Sequence, residues 1–276
     1  MRAMTCLAML LIAGHLSAEE FPTACHPYGV EKQPIDQQCG LEGAASAGAA
    51  NHAQNRAKNN LCATGTPKRL REKTLKALQT AVDATGLAYG HHPGPPASRS
   101  ALTTPIAVDG QSFAEGDLVY FVGYISDAHP AGAETSNCGA KKPDVDIHFA
   151  LSEKKLKFKK KEPKPKRDEK LCKSFGAELI PHLRPEMWEA ANIKDLEKEQ
   201  AIVKVSGQLF FDGSHQPCVG KAPRTGDPAR FTVWEIHPIY DLQVCKHDSM
   251  SKCSPSDASA WQSVKEWEEE PDHDEQ

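Results

Sequence analysis

Nowhere does this sequence carry the roughly 20 consecutive apolar residues that a membrane-spanning helix needs. The apolar run from Leu7 to Ala13 falls well short of that length. No CxxC pair occurs, which argues against structural zinc held at the usual cysteine spacing. HExxH is absent, and so is any comparable ligand pair one helical turn apart. There is no GxSxG to present a serine nucleophile, and no GxxxxGK or GxGxxG loop to cradle phosphates. These gaps remove the common zinc-protease, serine-hydrolase and nucleotide-binding signatures. Any chemistry must come from residues brought together by the fold.

The short run at the start has a different reading. Arg2 gives a positive n-region, Leu7 to Ala13 an apolar core, and Leu16-Ser17-Ala18 a small-residue cleavage site before Glu19. Residues 1–18 therefore read as a signal peptide, and the mature protein is expected to be secreted or periplasmic. Cys6 leaves with that segment. Eight cysteines remain: Cys25, Cys39, Cys62, Cys138, Cys172, Cys218, Cys245 and Cys253. An even number in an exported chain predicts disulfides. Three precede residue 90 and five follow it, so complete pairing requires at least one bridge between the two parts.

Residues 19–90 read as a small helical region stapled by disulfides. LEGAASAGAANHAQNRAKNN (41–60) is rich in small residues, and a helix there has few large apolar groups to bury. TGTPKRLREKTLKALQTAVDATG is the stronger helix: Thr66 caps it, Pro67 suits its first turn, Gly86 ends it, and Leu75, Leu78 and Val82 form its stripe. HHPGPPASRS (91–100) reads as a Pro-rich linker. From 101 to 253 strands dominate. GDLVYFVGYISDAH is apolar on both parities, with Gly123 marking a bend. PDVDIHFAL places Val145, Ile147, Phe149 and Leu151 on one face and Asp144, Asp146 and His148 on the other. AIVKVSGQLFFD and FTVWEIHPIYDLQV are further strands, and a short helix begins at Pro185. A fifth strand is expected within 156–172. The expected class is α+β: a small helical N-terminal region, then a mainly antiparallel OB-like β-barrel with one intervening helix.

Charge is unevenly placed. KKLKFKKKEPKPKRDEK (154–170) holds ten basic and three acidic residues, a net of +7, within a chain of net −4. EWEEEPDHDEQ, inside the acidic tail 254–276, holds seven acidic residues and no lysine or arginine. Neither segment has the apolar content to fold alone, and both are expected to be mobile. The basic insertion is the candidate polyanion site, through Lys154, Lys155, Lys157, Lys159, Lys160, Lys161, Lys164, Lys166 and Arg167. Tyr120, Tyr124 and Phe210 are the aromatics that could stack beside it, though a core role suits them better.

Six histidines fall in 101–253, and four of them, His129, His182, His215 and His237, lie close to a proline in AHP, PHLRP, SHQP and IHP. Asp146 and His148 share a strand face, as do Glu235 and His237. If the strands are neighbours, these four converge as metal ligands, and zinc there would support hydrolysis. The plainer expectation is the wet side of a half-solvated sheet with no cofactor.

The motifs DAHP (127–130), DVDIHFAL (144–151), PHLRP (181–185), SGQLFFDGSHQPC (206–218) and WEIHPIYDLQVC (234–245) occur in this order. Together with KNNLCATG (58–65), they resemble an uncharacterised family of exported bacterial proteins with an OB-like β-barrel domain and a WEIHP-type strand motif. The resemblance covers most of the mature chain and implies an extracytoplasmic bacterial protein. The lysine-rich insertion and the acidic tail depart from the family's pattern. The function expected is an exported, disulfide-stabilised binding module for a polyanion or an envelope protein partner. The alternative is a metal-dependent hydrolase.

Overall fold

The computed structural model describes residues 33–185, 188 and 190–269. The expected signal peptide, Cys25 and the end of the acidic tail (270–276) lie outside the described residues. Among those described, no helix is long and apolar enough to cross a membrane.

Five strands close into a barrel: β4 (Leu118–Pro130), β5 (Ile147–Ser152), β6 (Phe175–Leu179), β7 (Ile202–Phe211) and β8 (Trp234–Cys245), with β1 to β3 preceding them. Their order is β4-β5-β6-β8-β7, and β7 pairs back onto β4. That order, with a helix between β6 and β7, is consistent with the OB type. The sheet is mixed. Most pairs are antiparallel, but β6 runs parallel to β8, and the two-residue β1 (Lys68–Arg69) runs parallel to β4. The short β2 (Ile106–Val108) and β3 (Gln111–Phe113) form a separate hairpin.

One strand can serve two neighbours because β4 bends. Its first half pairs with β7 and its second with β5, with a register shift between Ile125 and Asp127. A Cβ on Gly123 would lie 2.4 Å from the Ser152 carbonyl oxygen, so the close approach of β5 requires a glycine. Gly207 does the same in β7, where a Cβ would meet the Pro238 oxygen at 2.2 Å. The apolar parity of each strand fills the barrel: Val119 and Phe121, Phe149 and Leu151, Phe175 and Ala177, Val203 and Val205, Trp234 and Ile236 are all buried in one cluster.

The helices pack on this barrel and share its core. α1 (Ala49–Lys58) comes from the small-residue stretch, and α2 (Glu72–Ala84) buries Leu75, Leu78 and Val82 in the same cluster as the strands. The second helix starts later than expected, because Lys68 and Arg69 pair with β4 and Arg71 takes the N-cap position. Gly86, at φ 72°, follows its end as expected. The Pro-rich segment is also packed: Pro96 is buried and sits beside Gly213, and α3 (Ser100–Thr103) begins at its last residue.

Other expectations are corrected. The fifth strand is β6, just past the interval proposed, and 156–172 instead forms a loop and α4 (Lys164–Leu171). The basic insertion, expected to be mobile, is anchored by buried Leu156 and Leu171. Part of the acidic tail forms α6 (Val264–Glu269) after β9 (Trp261–Ser263), and Asn192 of α5 (Ala190–Glu199) donates to Glu268. Charge density alone missed both because a few apolar residues suffice to dock a short charged segment.

Three disulfides are defined: Cys39–Cys138, Cys172–Cys218 and Cys245–Cys253. Cys62 is disulfide-bonded as well. Cys39 does not staple the helical region internally; its bridge supplies the tie across residue 90 that the cysteine count demanded.

Candidate functional site

The polar parity of β5, β6 and β8 faces out of the barrel, yet it does not meet water. Asp146, Glu235 and His237 are fully buried, and His148 is nearly so. α1 and the loops at 131–146 and 212–233 cover this face. The expectation of a wet sheet side is therefore overturned. Small residues in and before α1 let its backbone come close, so that Gln54, Asn55 and Lys58 are buried against the barrel. The Gln208 side-chain amide ties the layers together, donating to the Ala57 and His237 carbonyls at 2.7 and 2.8 Å.

Beneath this cover lies a charged constellation centred on Glu178 of β6. Lys58 Nζ lies 2.7 Å from Glu134 Oε2 and 3.4 Å from Glu178 Oε2. His148 Nε2 lies 3.2 Å from Glu134 Oε1 and 3.5 Å from Glu178 Oε1. Its Nδ1 lies 2.6 Å from the Asp227 carbonyl oxygen. On the other side, His237 Nε2 is 3.2 Å from Glu178 Oε2. Arg230 pairs with Glu235 and reaches Asp212 at 3.4 Å, while Asp212 also pairs with His215. Gly176 makes room for the Arg230–Glu235 contact, since a Cβ there would fall 2.8 Å from both side chains.

Burial and neighbouring charges divide these groups. Burial alone would lower Lys58, but Glu134, Glu178 and Asp146 hold it well above the ordinary lysine value. His148 is treated likewise: Glu178 and Glu134 overcome burial and raise it to about 10. Glu134 is held well below the usual carboxylate value by Lys58 and His148 in spite of burial. Glu178 is lowered by His148 and Lys58, again against burial. Asp146 is pushed up to about 7 by burial and by Glu134. Burial and Glu178 raise Glu235, with Arg230 opposing them. His237 goes the other way, to about 4, because burial dominates. At neutral pH, Lys58 and His148 thus provide the cations facing Glu134 and Glu178, while His237 keeps a neutral ring.

The four residues expected as metal ligands are drawn to one neighbourhood, but not as one set. Asp146 and His148 group with Glu134 and Glu178; Glu235 and His237 group with Glu178 alone. Sequence reasoning missed Glu178, Glu134, Lys58 and Arg230. Glu178 sits in the short AEL strand, which was read as the approach to a helix. Glu134 and Arg230 sit in loops without periodicity, and Lys58 ends a small-residue stretch that carries no motif.

The basic insertion lies elsewhere on the surface. Leu156 is buried, Phe158 lies beneath Arg167 at 4.5 Å and Lys170 at 5.5 Å, and Cys172–Cys218 fixes the far end. Lys164 pairs with Asp168 and Asp227, Arg167 with Asp127 and Glu197, and Lys170 with Glu162. Lys154, Lys155, Lys157, Lys159, Lys160, Lys161 and Lys166 are exposed and carry no ion pair among the described residues. Lys155 lies over the Tyr124 ring at 5.4 Å. Tyr120 and Tyr124 are half-buried, whereas Phe210 is fully buried with its ring 5.4 Å from that of His237, and so cannot stack on a ligand.

Neither the family models nor the curated proteins compared with the chain give a match. Among solved structures the chain is similar to Entamoeba histolytica asparaginyl-tRNA synthetase in complex with asparaginyl-adenylate, at 15% identity and a TM-score of 0.25. The likeness covers 57% of this chain and 29% of that one. At that TM-score it carries no argument about fold or function here.

Proposed function

We propose that this protein is an exported, disulfide-stabilised binding module that takes a polyanion on the insertion at 154–170. The observation that carries this reading is the set of seven exposed lysines, unneutralised within the described residues, on a segment that is itself anchored. Buried Leu156 and Leu171, the stacked Phe158 and the Cys172–Cys218 bridge hold the charges in place. A pre-ordered polycation loses less entropy on binding than a mobile tail would. Export is supported by the signal-like start, the disulfides and the resemblance to exported bacterial proteins.

The test is titration of a labelled single-stranded oligonucleotide, with heparin as a second polyanion, against full-length mature protein. With about five lysines in contact, affinity should fall on the order of 100-fold between about 50 and about 200 mM salt. Changing Lys154, Lys155, Lys157, Lys159, Lys160, Lys161 and Lys166 together to Gln should remove most of that dependence. Affinity for both polyanions that is unchanged in this variant would refute the proposal.

A metal-dependent hydrolase using His148, His237 and an acidic partner is the second reading, favoured by Glu178 lying 3.5 Å from His148 Nε2 and 3.2 Å from His237 Nε2. It predicts that His148→Ala abolishes hydrolysis without unfolding the protein. It stands second because these groups are covered, leaving a macromolecular substrate little access.

A further inference from the structure

The constellation around Glu178 has two halves, and only one of them is electrostatically complete. In the first, Lys58 and His148 bring cationic groups to Glu134 and Glu178. In the second, Glu178, Glu235 and His237 converge with ligand atoms all within 4.8 Å of one another. Glu235 Oε1 and both ring nitrogens of His237 are buried without a hydrogen-bond partner, and Glu178 Oε2, also without a hydrogen bond, has Lys58 Nζ at 3.4 Å on its other side. All three residues are more than nine-tenths buried. Buried polar atoms are rarely left unsatisfied, because each costs about 1–3 kcal/mol. Three buried residues, each bringing one ligand atom within 4.8 Å of the others, are what a cation site looks like.

We propose that Glu178, Glu235 and His237 hold one divalent first-row transition cation, of which zinc is the type, between β6 and β8 beneath α1. The donor set is one imidazole and two carboxylates, which suits zinc and its neighbours and argues against calcium, a cation that takes oxygen ligands. Ligand atoms about 2.1 Å from a tetrahedral zinc lie about 3.4 Å apart, close to the spacing of His237 Nε2 and Glu178 Oε2. That separation is 3.2 Å. Glu178 and Glu235, the latter giving up its proton to the incoming ion, would together balance the ion's charge. Arg230 then acts as an outer partner, holding Glu235 by its other oxygen. The Asp146–His148 half is not the site, because Lys58 already fills it. Bound between Glu178, Glu235 and His237, the cation would tie β6 to β8 beneath α1. No reaction is assigned to it, and it stands or falls independently of polyanion binding.

The experiment uses the mature chain with all disulfides intact, stripped with a chelator and dialysed. Zinc alone is added and followed by calorimetry and by thermal melting. One tightly bound equivalent is expected, with a rise in Tm. Glu235→Gln and Glu178→Gln should each weaken zinc at least tenfold and shrink the rise in Tm that zinc brings, each variant being compared with and without the metal. The exposed pair His91 and His92, with rings 4.4 Å apart, is the natural site for adventitious zinc. Zinc binding that is untouched by either Gln variant but lost in His91→Ala/His92→Ala would overturn the assignment. Should the Gln variants fail to fold, ring-nitrogen NMR of the wild type decides. A solvent-shielded histidine shifting in step with one equivalent supports the site, and shifts confined to exposed histidines overturn it. Oligonucleotide affinity, measured in parallel, is expected to be unchanged by zinc.

Discussion

Lys58, like Arg230, is a buried cation that faces two carboxylates on the covered side of the barrel. Its ammonium faces Glu134 and Glu178, and among the described residues only His148 also reaches both carboxylates. Lys58→Met should cost about 3–5 kcal/mol, since removing one partner of a buried pair strands the other. Urea denaturation measures this, and a loss below about 1 kcal/mol would mean the carboxylates find other partners. Asp127 gives a second prediction. Burial pushes it up, but His129, at 2.7 Å, and Arg167 outweigh burial and bring it to about 2. Its folded value is thus below its unfolded one, so its contribution is full above about pH 4 and is lost as pH falls through about 2. That contribution is on the order of 2 kcal/mol. Arg167→Met should shrink this acid-induced loss of Tm while leaving polyanion affinity nearly intact, because Arg167 is already spent on Asp127 and Glu197. An unchanged melting profile between pH 2 and 5 in that variant would contradict the pairing.

At the scale of elements, strand parity was legible and its meaning was not. Alternation in PDVDIHFAL and WEIHPIYDLQV correctly separated apolar from polar faces, and named Asp146, His148, Glu235 and His237. It could not show that a second layer buries the polar face. That layer is built by α1, whose sequence advertises only small residues, and those are what allow its close approach. Glu178 was hidden for a related reason: a five-residue strand inside a barrel is too short to show periodicity. DVDIHFAL, SGQLFFDGSHQPC and WEIHPIYDLQVC, three of the motifs behind the family resemblance, each deliver ionisable groups to this buried face. The PHLRP histidine does something else, with His182 Nδ1 lying 2.6 Å from Asp36 Oδ1. The insertion was misjudged because ten basic residues obscure Leu156, Phe158 and Leu171, which anchor it.

For the whole molecule, composition and cysteine count carried further than any local pattern. They led to disulfides and to a bridge between the two parts of the chain, whereas the α+β barrel came from the strand and helix patterns. The pairing itself depends on three-dimensional proximity and was not readable. The bridges should differ in weight. Chain entropy assigns about 4.7 kcal/mol to a loop of about 100 residues and about 2.5 kcal/mol to one of about 8. Cys39–Cys138 spans 99 residues and Cys245–Cys253 spans 8. Replacing the Cys39–Cys138 pair by serines should therefore lower Tm more than replacing Cys245–Cys253, as scanning calorimetry would show. Equal losses would mean that folded-state contacts, not loop closure, set the order.

Polyanion binding is proposed for the anchored lysine surface on the barrel. Covalent labelling of lysine amines, read by mass spectrometry with and without a saturating oligonucleotide, tests it most directly. Protection should concentrate on Lys154, Lys155, Lys157, Lys159, Lys160, Lys161 and Lys166, leaving Lys73, Lys76 and Lys221 as reactive as before. Protection spread evenly over all surface lysines, or centred away from 154–166, would contradict the account.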